Sequence, residues 1–326
     1  MAAADQIKSL IKSFGEGDES RFFATAMQIA ASEARQGHTT FAQELKNLIE
    51  KAKKERSLSF LDNGKTIPIS RPKRELNELI EIFNPKIRLA DMVLDKQVRD
   101  SLNRVVVEYR KTDLLRQHNL SPRRKLLLTG LPGCGKTMTA QALAGELGLP
   151  VFIIRLDGLI SKFMGESIAK LRMIFEAMEE HRGVYLFDEF DSIGSHRDQG
   201  QDVGEIKRVL NSFLINIEKD QSNSIVIAAT NLPDSLDKAL FRRFDDIISY
   251  PLPNKDDIKA LLKKHLSGFT LSEKSALDKV SKEAQGLSYS DIVRACEEAI
   301  KEMIILDEDS ISVESLLTLL KKRKSF

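Results

Sequence analysis

The spacing of hydrophobic and polar positions changes along the chain and predicts three kinds of region. Over residues 1–57 apolar side chains recur at helical spacing, as at Ile7 and Leu10, which predicts a bundle of three short helices. Between residues 89–252 short apolar runs alternate with helical patterns, whereas helical spacing alone returns over residues 253–326. The pattern therefore predicts an α/β domain between a small helical domain and a C-terminal helical domain.

Five apolar runs of the central region are expected to form the strands of a mostly parallel sheet. Each run is short, and helical segments lie between successive runs, which is the order found in α/β folds. The predicted strands are Lys125–Thr129, Val151–Leu156, Val184–Phe187, Ile225–Ala229 and Asp246–Tyr250.

Two proline-containing stretches mark the boundaries of this domain. Residues 58–88 are expected to be a connector in which Pro68 favours extended backbone, with one amphipathic helix predicted between Leu76 and Phe83. The second boundary is the segment Pro251–Pro253. The helices expected after it are Asp256–Leu266, Ser272–Ala284, Ser290–Leu306 and Val313–Lys322.

The first predicted strand runs into the segment Gly130–Thr137, which fits the phosphate-binding pattern G-x-x-x-x-G-K-[ST]. An Ala-rich segment from Met138 to Leu147 follows and is expected to be a helix. Glycines let successive backbone N–H groups point at phosphate oxygens, and the helix N-terminus adds unpaired N–H groups. In such a loop Lys136 can reach the β- and γ-phosphates, and the Thr137 hydroxyl can ligate Mg²⁺.

Polar residues follow two other predicted strands, where hydrolysis of a bound triphosphate would need them. Asp188 comes directly after one strand and is placed to hold Mg²⁺ through water, while the adjacent Glu189 can polarise an attacking water. Asn231 follows a second strand, where its amide would help to orient that water. Arg242 and Arg243 can neutralise charge on a transferring phosphoryl group, in their own subunit or in a neighbouring one.

In this order the motifs resemble those of the AAA family of ATPases, within the wider AAA+ class, over roughly Leu89 to Lys301. The resemblance implies a P-loop NTPase sheet flanked by helices, ATP and Mg²⁺ as cofactors, and a homo-oligomeric ring, usually of six subunits. The corresponding domains are an N-terminal helical domain over 1–57, a linker over 58–88, a large α/β ATPase domain over 89–252 and a helical lid over 253–326.

The resemblance also assigns roles to individual residues. The catalytic set is Glu189, Asn231, Lys136 and the paired arginines, of which Arg243 is the favoured trans-acting finger and Arg242 the second choice. In the family two residues usually separate these arginines, whereas here they are adjacent. The nucleotide contacts implied are Met92, Val93, Pro132, Gly133, Cys134, Gly135, Lys136, Thr137, Met138 and His265, and the Mg²⁺ ligands are Thr137 and Asp188.

Two positions of the lid carry alternatives. His265 matches a family histidine that lies near the ribose, or it is a partly buried helix residue of no special role. The lid motif Gly286–Asp291 has Tyr289 and Ser290 where the family prefers Gly-Ala, so Tyr289 is expected to alter packing near the adenine.

The segment around Phe163 suggests what the ATPase acts on. Lys162, Phe163 and Met164 precede a glycine and resemble the central pore loop of AAA rings that thread protein. An aromatic side chain can contact an extended peptide whatever its sequence, although Phe163 can instead pack on its own domain. The favoured hypothesis is therefore a ring ATPase that remodels proteins by threading polypeptide through its pore.

The N-terminal helices motivate a different hypothesis. Residues 1–57 carry no catalytic constellation, so they are expected to serve as an adaptor for clients or as an oligomerisation element. The ring could then be a nucleotide-dependent interaction module that regulates a partner enzyme, such as a protease or nuclease, without threading anything.

The composition limits the classes of partner and the cellular compartment that are expected. The formal net charge is only +2, and the one densely basic run is Lys321–Lys324, so a nucleic-acid partner is not expected. The two cysteines, Cys134 and Cys296, provide no disulfide framework, which fits a reducing compartment. No signal peptide is recognisable and no apolar run is as long as a membrane span, so the cytoplasm is the expected location.

Overall fold

The chain forms two compact units, Met1–Ile69 and Ser70–Phe326. The computed structural model describes residues 25–30, 32, 38, 42–49, 79–159, 166–194, 203–236, 238–273 and 276–324. In the first unit, residues 25–30 and 42–49 are helical, and Ala30, Ala42 and Ile49 are buried. Two segments of the predicted bundle are therefore helical, while the first expected helix, around Ile7 and Leu10, lies outside the described residues.

The second unit is built on one mixed sheet. Within its described residues six strands lie in the order β1-β3-β4-β5-β2-β6, and all neighbours are parallel except β1 and β3. The predicted mostly parallel sheet is thus confirmed. The strands are β1 Ile80–Phe83, β2 Lys125–Gly130, β3 Val151–Ile154, β4 Val184–Phe187, β5 Ile225–Thr230 and β6 Asp246–Tyr250.

Helices pack on both faces of this sheet because its central strands are apolar on both sides. Along β4, Val184 and Leu186 belong to one hydrophobic core, whereas Tyr185 and Phe187 belong to the core on the opposite face. The helices of this domain are α1 Lys96–Arg110, α2 Thr112–Gln117, α3 Lys136–Leu147, α4 Leu156–Leu159, α5 Glu166–Glu180, α6 Asp191–Gly194, α7 Val203–Lys219 and α8 Lys238–Phe241.

The remaining helices form a lid with a hydrophobic core of its own. Ile258, Ile292 and Leu316 come from three different helices and are fully buried in that core. The lid helices are α9 Lys255–His265, α10 Leu277–Glu283, α11 Tyr289–Ile305 and α12 Val313–Lys324. In the described part of the chain, none of the helices combines the length and the apolar character needed to cross a bilayer.

One predicted helix is wrong. The segment between Leu76 and Phe83 was expected to be an amphipathic helix, but Ile80–Phe83 is strand β1, paired antiparallel with β3 from Ile80↔Ile154 to Phe83↔Val151. The free edge of β3 supplies hydrogen-bond partners that local spacing does not reveal, and burial of Leu79 and Ile80 accompanies the pairing. The end of the predicted linker therefore adds an edge strand to the sheet.

Two other predicted elements are too long. The strand predicted over Val151–Leu156 ends at Ile154, and Leu156 already begins α4. The helix predicted over Ser272–Ala284 begins only at Leu277, because the backbone N–H of Ser272 donates to the carbonyl of Ile311 at 3.0 Å. Pairing with a distant segment holds this backbone extended.

Candidate functional site

The phosphate-binding loop joins the end of β2 to the start of α3. Gly130 and Gly133 have φ values of 146° and 77°, a region that favours glycine. A Cβ at Gly130 would lie 2.5 Å from the carbonyl oxygen of Tyr250, and one at Gly133 would lie 2.6 Å from the hydroxyl oxygen of Ser288. Glycine is therefore required at both positions by backbone conformation and by close neighbours.

Lys136, at the start of α3, is buried and points back into this loop. Its ammonium group donates to the carbonyl oxygens of Gly130 at 2.8 Å and Leu131 at 2.9 Å, and to the side-chain oxygen of Asn231 at 2.8 Å. Burial lowers the pKa of Lys136, and the nearby Asp188 carboxylate acts in the opposite direction. The structure thus brings together the predicted phosphate-binding lysine and Asn231, whose amide is predicted to orient the attacking water.

Thr137 and Asp188 form a second contact in the same cleft. The Thr137 hydroxyl donates to a carboxylate oxygen of Asp188 at 2.6 Å, although the two residues are 51 positions apart. A hydroxyl and a carboxylate are hard oxygen donors of the kind that Mg²⁺ prefers. The residues present therefore fit the Mg²⁺ site that the sequence predicts.

Glu189 has an unusual backbone conformation. Its φ of 49° is in the left-handed region, which is uncommon for a residue other than glycine, and its N–H donates to the Asp188 carboxylate at 2.9 Å. Residues held in such conformations cluster at active sites. The turn directs the exposed Glu189 side chain to the cleft, beside Asp188.

Asp191 is a site residue that sequence reasoning missed. One of its carboxylate oxygens accepts from the Thr230 hydroxyl at 2.9 Å and from the backbone N–H of Asn231 at 3.0 Å. The available signal was an acid two positions after Glu189 in the run Asp-Glu-Phe-Asp. Nothing local to that run indicates which strand end the carboxylate would contact.

Lys136, Thr137, Asp188, Glu189 and Asn231 line one cleft of about 580 Å³ between the large domain and the lid. Its volume is in the range of small-molecule binding sites. The described residues that line it are Asp91, Met92, Val93, Pro132, Gly133, Cys134, Gly135, Lys136, Thr137, Met138, Asp188, Glu189, Asn231, Leu261, Lys264, His265, Tyr289, Ser290, Val293, Arg294 and Glu297. All ten predicted nucleotide-contact residues lie in this set.

The lid contributes more of the cleft wall than was predicted. Beyond His265 and Tyr289, the wall includes Ser290, Val293, Arg294 and Glu297 of α11, which follow one another at helical spacing. Further contributions come from Leu261 and Lys264 of α9. Their helical spacing could have shown that the α11 residues share one face of a helix. The sequence does not indicate that this face lies against the phosphate loop.

Direct hydrogen bonds hold the lid against the large domain. The backbone N–H of Ser290 donates to the carbonyl of Gly133 at 3.0 Å, and the Lys264 ammonium donates to the carbonyl of Asp91. Ser288 caps α11, since its hydroxyl accepts from the Asp291 N–H at 3.2 Å. The start of α11 is therefore fixed over the phosphate loop.

Besides Lys136, three titratable groups of the cleft have shifted pKa values. Burial lowers the pKa of His265, with Lys264 acting in the same direction, so the ring favours its neutral form. Burial raises the pKa of the Cys134 thiol and of the Tyr289 hydroxyl. His265 lies at the cleft as the resemblance implies, and it is also partly buried in a helix.

Two groups of predicted residues lie elsewhere. Arg242 and Arg243 are exposed, Arg243 forms an ion pair with Glu218, and neither is among the described residues that line the cleft. The predicted pore residues Lys162, Phe163 and Met164 lie outside the described residues.

Comparisons with known proteins show the family and the fold of the chain. Residues 126–252 match the ATPase family associated with various cellular activities (AAA). The FIGL-1 AAA domain, known from its crystal structure, shares the fold with a TM-score of 0.63 at 22% identity, over 79% of this chain and 92% of that one.

Curated relatives carry the similarity beyond the central domain. An uncharacterised AAA family ATPase of Sinorhizobium fredii is 35% identical over 94% of this chain and 90% of its own length. A proteasome-activating nucleotidase of Methanothermobacter thermautotrophicus is 32% identical over 70% of this chain, which spans 58% of that protein. An ATP-dependent zinc metalloprotease FtsH 4 of Sphaerobacter thermophilus is 32% identical over 66% of this chain, which spans 34% of that protein. The chain has the phosphate loop and the paired acids, and an AAA family ATPase matches 94% of its length; the chain therefore belongs to the AAA family of ATPases.

Proposed function

We propose that the cleft binds ATP with Mg²⁺ and hydrolyses it, and that hydrolysis drives the remodelling of proteins. The observation that carries the proposal is the convergence of Lys136, Thr137, Asp188 and Asn231, from three separate segments, on the cleft that Glu189 also lines. A buried cation, a hydroxyl–carboxylate pair and an exposed acid are the groups that phosphoryl transfer to water requires.

Each side chain then has a separate task. Lys136 and the loop N–H groups bind the β- and γ-phosphates, while Asn231 orients the attacking water. Glu189 accepts the proton of that water as it attacks the γ-phosphorus. Thr137 and Asp188 hold Mg²⁺, which when bound neutralises charge on the phosphate oxygens.

The proposed assembly is a ring, with six subunits as the expected number. Arg242 and Arg243 are exposed and lie outside the cleft of their own subunit, which supports a role at the cleft of a neighbour. A guanidinium supplied from a second subunit can stabilise charge on the transferring phosphoryl group. The two free cysteines fit the expected reducing compartment, such as the cytoplasm.

The proposed substrate is an extended polypeptide that passes through the ring. Two observations support it: the sequence Lys162-Phe163-Met164 resembles a pore loop, and one relative is named as a proteasome-activating nucleotidase and another as an ATP-dependent metalloprotease. Those names also favour a second candidate, in which the ring regulates a partner enzyme without threading.

A trapping experiment separates the two candidates. Glu189→Gln should bind ATP and hydrolyse it very slowly, so a bound protein can be recovered with the ATP-loaded assembly. If threading is correct, the protein is lost when Phe163→Ala is added, while Phe163→Ala alone keeps its basal ATP hydrolysis. A protein that survives Phe163→Ala but is lost on removal of residues 1–57 would be a docked partner, and the second candidate would replace the first.

A further inference from the structure

The turn after β4 is tied to the end of β5 by its backbone. The N–H of Phe190 donates to the carbonyl of Ala229 at 2.8 Å, and the Phe190 side chain is fully buried. The N–H of Ser192 donates back to the carbonyl of Glu189 at 2.8 Å. Glu189 is thus held in its left-handed conformation by a hydrogen bond to its own carbonyl and by the anchored residue that follows it.

The side chain of Asp191 adds a second tie between the same two strand ends. A single carboxylate oxygen accepts from the Thr230 hydroxyl at 2.9 Å and from the Asn231 backbone N–H at 3.0 Å. The Thr230 oxygen in turn accepts from the N–H of Leu232 at 3.1 Å, and Thr230 is fully buried. The carboxylate therefore sets the backbone on both sides of the Asn231 side chain.

This tie continues into the phosphate loop. The side-chain oxygen of Asn231 accepts from the Lys136 ammonium at 2.8 Å, while its backbone N–H is held by Asp191. Asp191 does not line the cleft, whereas Glu189, Asn231 and Lys136 do. It is therefore placed to act on hydrolysis through the groups that it positions.

We propose that Asp191 is a positioning residue for ATP hydrolysis, which fixes the Asn231 amide relative to the Glu189 carboxylate. This inference rests on the proposed hydrolytic role of the cleft. If the hydrogen bonds of Asp191 are lost, nucleotide can still bind to the phosphate loop and the lid. The Asn231 amide and the Glu189 carboxylate, however, are no longer held in a fixed position relative to each other. The expected defect is therefore in turnover and not in binding.

The first test compares Asp191→Ala with Asp191→Asn. Asp191→Ala is expected to lower kcat for ATP hydrolysis by roughly 10- to 100-fold, since small misplacements of catalytic groups have effects of this size. The Kd for a fluorescent mant-ATP probe should change by less than about 3-fold. Asp191→Asn should keep most of kcat, because its amide oxygen can accept the same two hydrogen bonds.

A matched control separates positioning from stability. Ser224, just before β5, is fully buried; its hydroxyl accepts from the Gly183 N–H and donates to the Met178 carbonyl, at the opposite end of the strand from Asn231. Ser224→Ala should lower Tm as Asp191→Ala does but leave kcat unchanged. If Asp191→Ala does not yield folded protein, Thr230→Val removes one of the two donors and should reduce kcat by roughly 3- to 10-fold.

A double-mutant cycle tests whether Asp191 acts through Asn231. Asn231→Ala alone should lower kcat, and Asp191→Ala combined with Asn231→Ala should lower it little further, because coupled residues are not additive. If the loss of kcat in the double variant equals the product of the two single losses, the proposal is overturned. Equal losses of kcat in Asp191→Asn and Asp191→Ala would also overturn it. If Glu189→Gln hydrolyses ATP at the normal rate, the proposed function of the cleft fails first, and the inference falls with it.

Discussion

At the scale of single residues, the cleft depends on a few polar groups placed within hydrogen-bonding distance. Thr137 and Lys136 are neighbours in sequence but contact different partners, since Thr137 donates to Asp188 and Lys136 donates to Asn231. The start of α3 thus divides its two polar side chains between the acid after β4 and the amide after β5. That division fits a metal ligand on one side and a phosphate ligand on the other.

The predicted metal ligand can be tested by its Mg²⁺ requirement. Thr137→Ala is expected to raise the Mg²⁺ concentration that half-saturates ATP hydrolysis by roughly 10-fold, because one oxygen donor is lost. Thr137→Ser should restore it, since the hydroxyl is retained. Thr112→Ala removes a hydroxyl that only donates to the carbonyl of Tyr109, so it serves as the control. An unchanged Mg²⁺ requirement in Thr137→Ala would argue against this ligand.

At the scale of elements, the position of α11 decides the shape of the cleft. Its first turn is capped by Ser288 and donates to the phosphate loop through Ser290, so the loop and the lid meet at Gly133. A side chain at Gly133 would enter this junction. The lid therefore contacts the phosphate loop directly through a backbone hydrogen bond, and this contact does not need a nucleotide between them.

Two glycines of similar conformation allow this junction to be tested. Gly133 and Gly148 flank α3 with φ values of 77° and 66°, so alanine at either position carries about 1–2 kcal/mol of backbone strain. Only at Gly133 would the new Cβ also meet Ser288, since nothing lies within 4 Å at Gly148. Gly133→Ala is expected to weaken mant-ATP binding by roughly 10-fold or more. Gly148→Ala should lower Tm and leave this affinity unchanged; equal affinities for the two variants would contradict the junction.

At the scale of the whole molecule, one subunit does not bring every predicted catalytic group to its own cleft. Lys136, Glu189 and Asn231 line it, whereas Arg243 is exposed elsewhere and pairs with Glu218. A ring with head-to-tail contacts would present the arginine surface of one subunit to the cleft of the next. The ring proposal thus gives a catalytic role to an exposed arginine pair that does not line the cleft of its own subunit.

Mixing two inactive variants tests this arrangement. Arg243→Ala and Glu189→Gln should each abolish most hydrolysis alone. Mixed rings should recover it, because a subunit with an intact base can receive the arginine of its neighbour; random mixing completes about a quarter of the sites. Glu218→Gln, which removes the same ion pair but keeps the guanidinium, is the control. No recovery on mixing would indicate action within one subunit, and full activity of Arg243→Ala would point to Arg242.

Much of the fold and site could be predicted because the signals are local. The loop Gly130–Thr137 and the acids Asp188 and Glu189 were recognised because glycines, an apolar strand and the polar residues after it are consecutive in the chain. The strand over Val184–Phe187 was placed at its observed ends for the same reason. Each of these patterns depends on residues within one element and its immediate neighbours.

The remaining features depend on contacts between residues that are far apart in sequence. Strand β1 forms because the edge of β3 accepts it, although the local spacing predicts a helix. Asp191 gains its role from Thr230 and Asn231, about forty positions away, and Ser290 gains its role from Gly133. Sequence alone therefore determined five of the six described strands, the phosphate loop and the polar residues that follow β4 and β5. Only tertiary packing decided which edge of the sheet is paired, which face of the lid lines the cleft and which carboxylate accepts from the backbone N–H of Asn231. The physical reason is that polar groups need hydrogen-bond partners and apolar groups need burial, whatever their separation along the chain.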